Sequence, residues 1–241
     1  MTQPSNPLYE GHELESLGEA PNYYRWILDG FLPHLSGDGV EFGAGIGTMS
    51  RRIRPHLDTL DIVEPSENLI PGLHGDFGAQ TGTRIFHETL ESFAARQPSG
   101  SYDCAVMVNV LEHIEEDAGI AVEMFRILRH GGCWLVFVPA MAFLFSDLDR
   151  RFGHFRRYSR QGLGTLARRA GFDVIGLRYF DLLGVLPWWL INTVGGATEM
   201  NPRLTRIYDA CGVPLTRAIE AIIPPPIGKN LVLIARRPKD R

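Results

Sequence analysis

Residues 40–50 read VEFGAGIGTMS, a short apolar run with one acid, Glu41, that ends in three glycines on alternate positions, Gly43, Gly45 and Gly47. Bare backbone directly after a strand marks a turn that a ligand or a second segment approaches closely. The dinucleotide-binding fingerprint is G-x-G-x-x-G, with its last glycine opening a helix under a pyrophosphate. Here the spacing is G-x-G-x-G, and position 48 is a threonine. A tight strand-to-helix turn without a ligand accounts equally well for a lone glycine triplet, so the rest of the chain must decide.

Strand-like and helix-like segments alternate on either side of this turn. A helix is expected from about Asn22 to His34 after a polar tail, and GVEF leads into the glycines. Then come LDIVEP, TRIFHE and YDCAVMVNVL, each apolar and rich in β-branched or aromatic residues. A helix is expected over EDAGIAVEMFRILRHGG, followed by a strand at CWLVFVPA, a helix at RQGLGTLARRAGF closed by Gly171, a strand at DVIGLRYFD and a last strand at KNLVLIARRP. This alternation predicts an α/β fold with a mostly parallel, doubly wound sheet. Leu182–Ile227 is rich in Trp, Pro and apolar residues and breaks the pattern, so it is expected to be a helical insertion serving as a lid or an oligomer contact. The expected division is a tail and helix over 1–36, a sheet domain over 37–181 and 228–241, and the insertion over 182–227.

The chain has 241 residues, a formal charge of −4 and 44% hydrophobic residues, enough for a substantial core and unlike a protein that binds nucleic acid through phosphate contacts. Cys104, Cys133 and Cys211 are odd in number and widely spaced, so neither a disulfide framework nor a metal site is expected. The N-terminus lacks the basic and apolar regions of a signal peptide, and the longest apolar stretch is shorter than the roughly 20 residues needed to span a bilayer. A cytoplasmic protein without an integral membrane segment is expected.

In an open α/β sheet the ligand lies beyond the carboxyl ends of the strands, where strand order reverses. Glu64, closing LDIVEP, places a carboxylate where a ribose diol can donate to it. That acid suits either nucleotide family. Glu41 discriminates, because a carboxylate beside the glycines suits an ammonium group, which NAD lacks. Glu88 follows the third strand, positioned for an adenine amine, and Asn109 ends the fourth.

These segments together resemble the class I S-adenosylmethionine-dependent methyltransferases. VEFGAGIGTMS is similar to the family's first motif, LDIVEPSEN to its second, FHETLESF loosely to its third and YDCAVMVNVLEHIEED to its fourth, while RILRHGGCWLVFVPA is similar to the segment that ends its fifth strand. The resemblance covers about residues 37–180 and 229–238. It implies a seven-stranded sheet of order 3-2-1-4-5-7-6 with strand 7 antiparallel. It further implies S-adenosyl-L-methionine as cofactor, with Gly43, Ala44, Gly45 and Gly47 along its methionine part and Glu41 near its amino group. Glu64 and Pro65 would meet the ribose, Glu88, Thr89 and Leu90 the adenine, and Asn109 and Val110 the sulfonium. The chain has His87-Glu88 where the family more often has Gly-Asp. A dehydrogenase and a cofactor-binding scaffold without chemistry are the rival readings.

A sulfonium carries an activated methyl group, so the protein must align the acceptor and remove its proton where it has one. His113, in LEHIEED, is a candidate base or a histidine held by nearby acids. In SDLDRRFGHFRRYSR, residues 146–160, His154 and Tyr158 are candidate acid–base groups, and Arg156 and Arg157 can grip an anionic small-molecule acceptor. A solvated charged loop is the alternative, although the interleaved Phe152, Phe155 and Tyr158 weigh against it. LLGVLPWWLINTV can line an apolar pocket, lie on a membrane or pack a homodimer, and packing is the reading adopted. Transfer to oxygen is expected, with carbon, nitrogen or a lipid-linked or glycosyl intermediate as alternatives.

Overall fold

The computed structural model describes residues 20–239, so the polar tail expected before Asn22 lies outside the described residues up to residue 19. The first helix, α1 (Pro21–Phe31), buries Tyr24, Trp26, Ile27 and Phe31, and Asp209 caps its start by accepting from the Asn22 and Tyr23 backbone N–H groups at 3.1 and 2.9 Å. Strands β1 (Asp38–Phe42), β2 (Thr59–Val63), β3 (Thr83–Phe86), β4 (Tyr102–Val108), β5 (Leu128–Pro139), β6 (Asp173–Phe180) and β7 (Asn230–Arg236) form one sheet of order β3-β2-β1-β4-β5-β7-β6. Neighbours among β1–β5 pair in parallel, and β7 runs antiparallel to both β5 and β6. The sheet therefore has the order expected from the sequence.

Chain order runs outward from β1 through β2 to β3 on one side, and from β4 to β5 on the other. The crevice between the carboxyl ends of β1 and β4 is thus the switch point at which such sheets bind ligands. Helices α2 (Ser50–Ile53), α3 (Ile70–Phe77), α4 (Leu90–Arg96), α5 (Asp117–Ile127), α6 (Asp147–Arg151) and α7 (Arg160–Arg169) belong to the connections. The central strands are apolar on both faces because both are covered. Val40, Phe42, Met107 and Trp134 face one core, while Ile62, Val106, Leu135 and Phe137 face the other with α1. Cys104 and Cys133 are buried free thiols opposite each other on β4 and β5, and Cys211 is an exposed one.

One helix boundary differs from expectation. The helix expected through Gly132 stops at Ile127, and Leu128 pairs with Tyr102 as the start of β5. Arg237, just past β7, donates to the carbonyls of Phe125, Arg126 and Leu128 at 2.9, 3.1 and 2.7 Å and so satisfies the helix end. Arg129 is drawn to Asp38 and Asp103 at the amino ends of β1 and β4.

Leu182–Ile227 is helical, with α8 (Val185–Trp188) continuing as a π-helix over Trp189–Val194, and α9 (Pro202–Ile207) passing through another π-helical stretch, Tyr208–Gly212, into α10 (Val213–Ile222). Among the described residues, no helix is long and apolar enough to cross a membrane.

Candidate active site

Gly43, Gly45 and Gly47 all have positive φ, at 65, 58 and 78°. Two are needed by packing alone. A Cβ on Gly43 would lie 2.5 Å from a methyl of Val110, and one on Gly47 would lie 2.7 Å from the Phe77 ring. The turn is held by Gly43 N–H donating to the Val63 carbonyl at 2.8 Å and Gly47 N–H to that of Ala44 at 2.9 Å. Gly45 N–H instead donates to the Glu64 carboxylate at 2.8 Å. Ala44 is buried against the α1 side of the core.

Two carboxylates flank this turn. Glu41 is 2% exposed in the middle of the sheet and accepts from the Ser50 hydroxyl. Burial pushes its pKa up to about 8, with the Glu64 charge adding to the shift and the Ser50 hydrogen bond opposing it. Glu64 is also buried, and its second oxygen accepts from Ser66 N–H at 2.9 Å. Neither acid forms an ion pair among the described residues. Two buried carboxylates without a cation are costly unless a positive ligand arrives, and a pyrophosphate would add to the repulsion. The site suits a cation-bearing ligand.

The ends of β2 and β3 meet where the His87 ring nitrogen lies 3.2 Å from the Pro65 carbonyl. The Glu88 carboxylate is held by Arg96 at both oxygens, 2.9 and 2.5 Å, which leaves it less free for an adenine amine than the sequence suggests. Thr89 caps α4 by accepting from Ser92 N–H at 3.3 Å, and Leu90 is buried beneath it. At the end of β4, Asn109 has φ 53° and donates its N–H to the Phe137 carbonyl at 2.8 Å. Val110, against Gly43, joins the two sides of the crevice.

Beyond β4 the chain turns through Leu111–His113, and the segment after α6 is stitched to it by Phe155 N–H donating to the Glu112 carbonyl at 2.9 Å. His113 and His154 pack edge to face with ring centroids 4.7 Å apart. His154 Nδ1 lies 3.0 Å from Asp149, which fixes the ring and leaves Nε2 4.0 Å from Glu112. Burial alone would raise the Asp149 carboxyl, but hydrogen bonds from His154 and Arg157 and the guanidinium charge outweigh it and hold the group below its usual range. Glu112 is fully buried, neither carboxylate oxygen accepts a hydrogen bond among the described residues, and burial pushes its pKa up to about 8. Glu112, His113 and His154 bring one ligand-capable atom each within 4.8 Å of the others, so they are the groups here that could hold a cation.

The remaining candidates of the basic segment have other partners. Arg157 is 7% exposed, donates from Nε to Asp149 at 2.9 Å and stacks 4.6 Å from the Trp188 ring centre, so it is internal ballast for Asp149 rather than a free grip. Arg156 is tied to Asp117 at 3.0 Å and to the Glu115 carbonyl at 2.6 Å. Tyr158 is 6% exposed and donates to Asp117 at 2.8 Å, and burial together with that hydrogen bond raises its phenol well above the usual range. A phenol so held cannot serve as a base near neutral pH. Sequence reading counts Asp149 among the charges of residues 146–160 but assigns no role to it or to Glu112. Asp149 had a visible signal, since Ser146 three residues before it forms a capping box at the start of α6; Glu112 looked like one acid among several.

A family model described as a methyltransferase domain matches residues 19–177. A ubiquinone biosynthesis O-methyltransferase of Psychrobacter arcticus is 28% identical over 180 residues, covering 66% of this chain and 69% of that protein. Among solved structures, an S-adenosylmethionine-dependent methyltransferase from Mesorhizobium loti has a TM-score of 0.62 at 17% identity, covering 89% of this chain and 98% of its own. The N-methyltransferase NodS of Bradyrhizobium japonicum, in complex with S-adenosyl-L-homocysteine, has a TM-score of 0.58 at 12% identity, covering 90% of this chain and 86% of its own. At these identities the structural likeness bears on the fold alone.

Proposed function

Because this chain belongs to the S-adenosylmethionine-dependent methyltransferases, we propose that it methylates a hydroxyl oxygen of a small-molecule acceptor, with His154 taking up the proton. S-Adenosyl-L-methionine is its cofactor, and when bound it supplies an activated methyl group. The residues at the turn fit it. Glu41 lies where a carboxylate would meet the amino group, and Glu64 keeps lone pairs for ribose hydroxyls while its two oxygens hold Gly45 and Ser66. With Glu88 held by Arg96, adenine recognition falls to the backbone at Thr89 and Leu90. Asn109 and Val110 border the reacting centre.

The observation that carries transfer to oxygen is the Asp149–His154 pair. An amine acceptor can react through its own lone pair once unprotonated, whereas a hydroxyl gains much from a positioned base. Asp149 holds the imidazole through Nδ1 at 3.0 Å and so fixes its orientation, which is the service a base needs from its neighbour. His113 packs edge to face against His154, and burial together with that neighbouring ring lowers its pKa to about 4, so it stays neutral beside the base. The relative named as an O-methyltransferase favours the same reading. Release of adenosylhomocysteine over a panel of hydroxyl, amine and activated-carbon acceptors tests it. Turnover confined to amines or carbon acids would contradict transfer to oxygen.

Glu41 gives a second expected result. Its pKa near 8 leaves it largely protonated at pH 7 in the free protein. An ammonium placed beside it favours the carboxylate, so the pKa falls on binding and a proton is released. Titration calorimetry of adenosylhomocysteine at pH 7 in buffers of different ionisation enthalpy should show release of up to one proton. The release should fade above pH 8, where Glu41 is already ionised, and should be absent in Glu41→Gln. A buffer-independent heat in the wild type would remove Glu41 from the amino-group site.

A further inference from the structure

A cavity of about 590 Å³ opens between α1 and the insertion, on the carboxyl side of the sheet. Its walls are largely apolar and include Trp188, Ile191, Met200 and Leu204, and Tyr23 and Lys229 also line it. Lys229 lies at the entry to β7 and therefore at the same sheet edge as the carboxyl ends of β4 and β5. The Tyr23 ring packs 6.0 Å, centroid to centroid, from that of Phe137, and the Phe137 carbonyl accepts from Asn109 N–H. Trp188 of the lining also stacks 4.6 Å from Arg157, which shares Asp149 with His154, so the cavity adjoins the proposed base as well as the end of β4.

Among the described residues, Lys229 is the one cationic side chain in the lining. The other charged members are Asp209, committed to the start of α1, and Glu199, whose side chain is 81% exposed. The Lys229 ammonium lies 3.0 Å from Asp181 and within 4.9, 5.6 and 5.8 Å of the ring centres of Tyr23, Trp188 and Tyr208. Asp181 is fully buried, and its charge is already shared among the hydroxyls of Tyr23 and Tyr208 and the N–H of Gly184. An ammonium has three N–H donors, and Asp181 takes one direction. A cation among aromatic rings, at one end of an apolar cavity, is partly desolvated, so a further anion gains more there than it would in water.

We infer that this cavity holds the body of the acceptor and that Lys229 pairs with an acidic group on it, so that the substrate class is an apolar molecule carrying one anionic group besides the hydroxyl that is methylated. The inference rests on the methyl-transfer reading of the adjoining crevice. It moves anion recognition from Arg156 and Arg157, which are tied to Asp117 and Asp149, to a cation that sequence inspection left unremarked.

The test uses two fluorescent probes of similar shape on the full chain saturated with adenosylhomocysteine. One is the anion anilinonaphthalene sulfonate and the other is uncharged N-phenylnaphthylamine. Both should bind the wild type. Lys229→Met should weaken the anion tenfold or more and the uncharged probe less than twofold, and Lys229→Arg should restore most of the loss. Ile191→Asp, on the cavity wall, should weaken both probes. Ile222→Asp, 82% exposed and outside the lining, should weaken neither. Equal loss of both probes in Lys229→Met, or loss in Ile222→Asp with none in Ile191→Asp, would overturn the proposal. Adenosylhomocysteine affinity, measured on the same proteins, should not change. Its absence in the wild type would fault the methyl-transfer reading, whereas an insensitive probe ratio with normal affinity faults only the role of Lys229.

Discussion

Gly45→Val should lower adenosylhomocysteine affinity by a hundredfold or more, about 2.7 kcal/mol. Position 45 has φ 58°, a region that β-branched residues occupy only under strain, at a cost on the order of 1–3 kcal/mol. Its N–H also holds the Glu64 carboxylate in place, so a shift of the turn displaces the acid proposed for the ribose. Strain alone could lower stability without touching binding, and Gly131→Ala controls for that. Gly131 has φ 85° but sits at the start of β5, at the opposite end of the strand from the crevice. Gly131→Ala should lower the melting temperature and leave adenosylhomocysteine affinity unchanged. Equal affinity in Gly45→Val and the wild type would take the cofactor off the glycine turn.

His154→Gln should reduce turnover tenfold or more, since a positioned base contributes about 10²–10⁴-fold. Cofactor affinity should stay as in the wild type, because His154 lies beyond β4 rather than at the glycine turn. The pH profile of kcat/KM should lose the limb contributed by the base, a change that a merely structural role would not produce. Asp149→Asn is less clean, because Asp149 also accepts from Arg157 at 2.9 Å and from the Ser146 N–H and hydroxyl at 2.9 and 2.8 Å. It should lose both stability and turnover. Normal turnover in His154→Gln would leave oxygen transfer without its base.

The sheet was legible because each parallel strand is an apolar run closed by turn residues, and because a buried acid such as Glu41 stands out in such a run. The end of α5 was not legible. Nothing within EMFRILRHGG stops a helix before the glycines, and the guanidinium that satisfies its last carbonyls belongs to Arg237, more than a hundred residues away. The basic segment misled for a related reason. Arg157 and Tyr158 look like substrate contacts until the fold brings them to Asp149 and Asp117, and an internal ion pair reads in sequence as two surface charges. Lys229 gave no signal in the sequence, since its meaning depends on Tyr23, Trp188 and Tyr208 converging from three distant segments.

Whether the crevice between β1 and β4 binds a cation-bearing adenosyl ligand is decided by calorimetric titration of the wild-type chain with adenosylhomocysteine and, separately, with NAD. One adenosylhomocysteine should bind per chain, with a proton released at pH 7, and NAD should give no saturable heat. Saturable binding of NAD with no heat from adenosylhomocysteine would make the crevice a dinucleotide site instead.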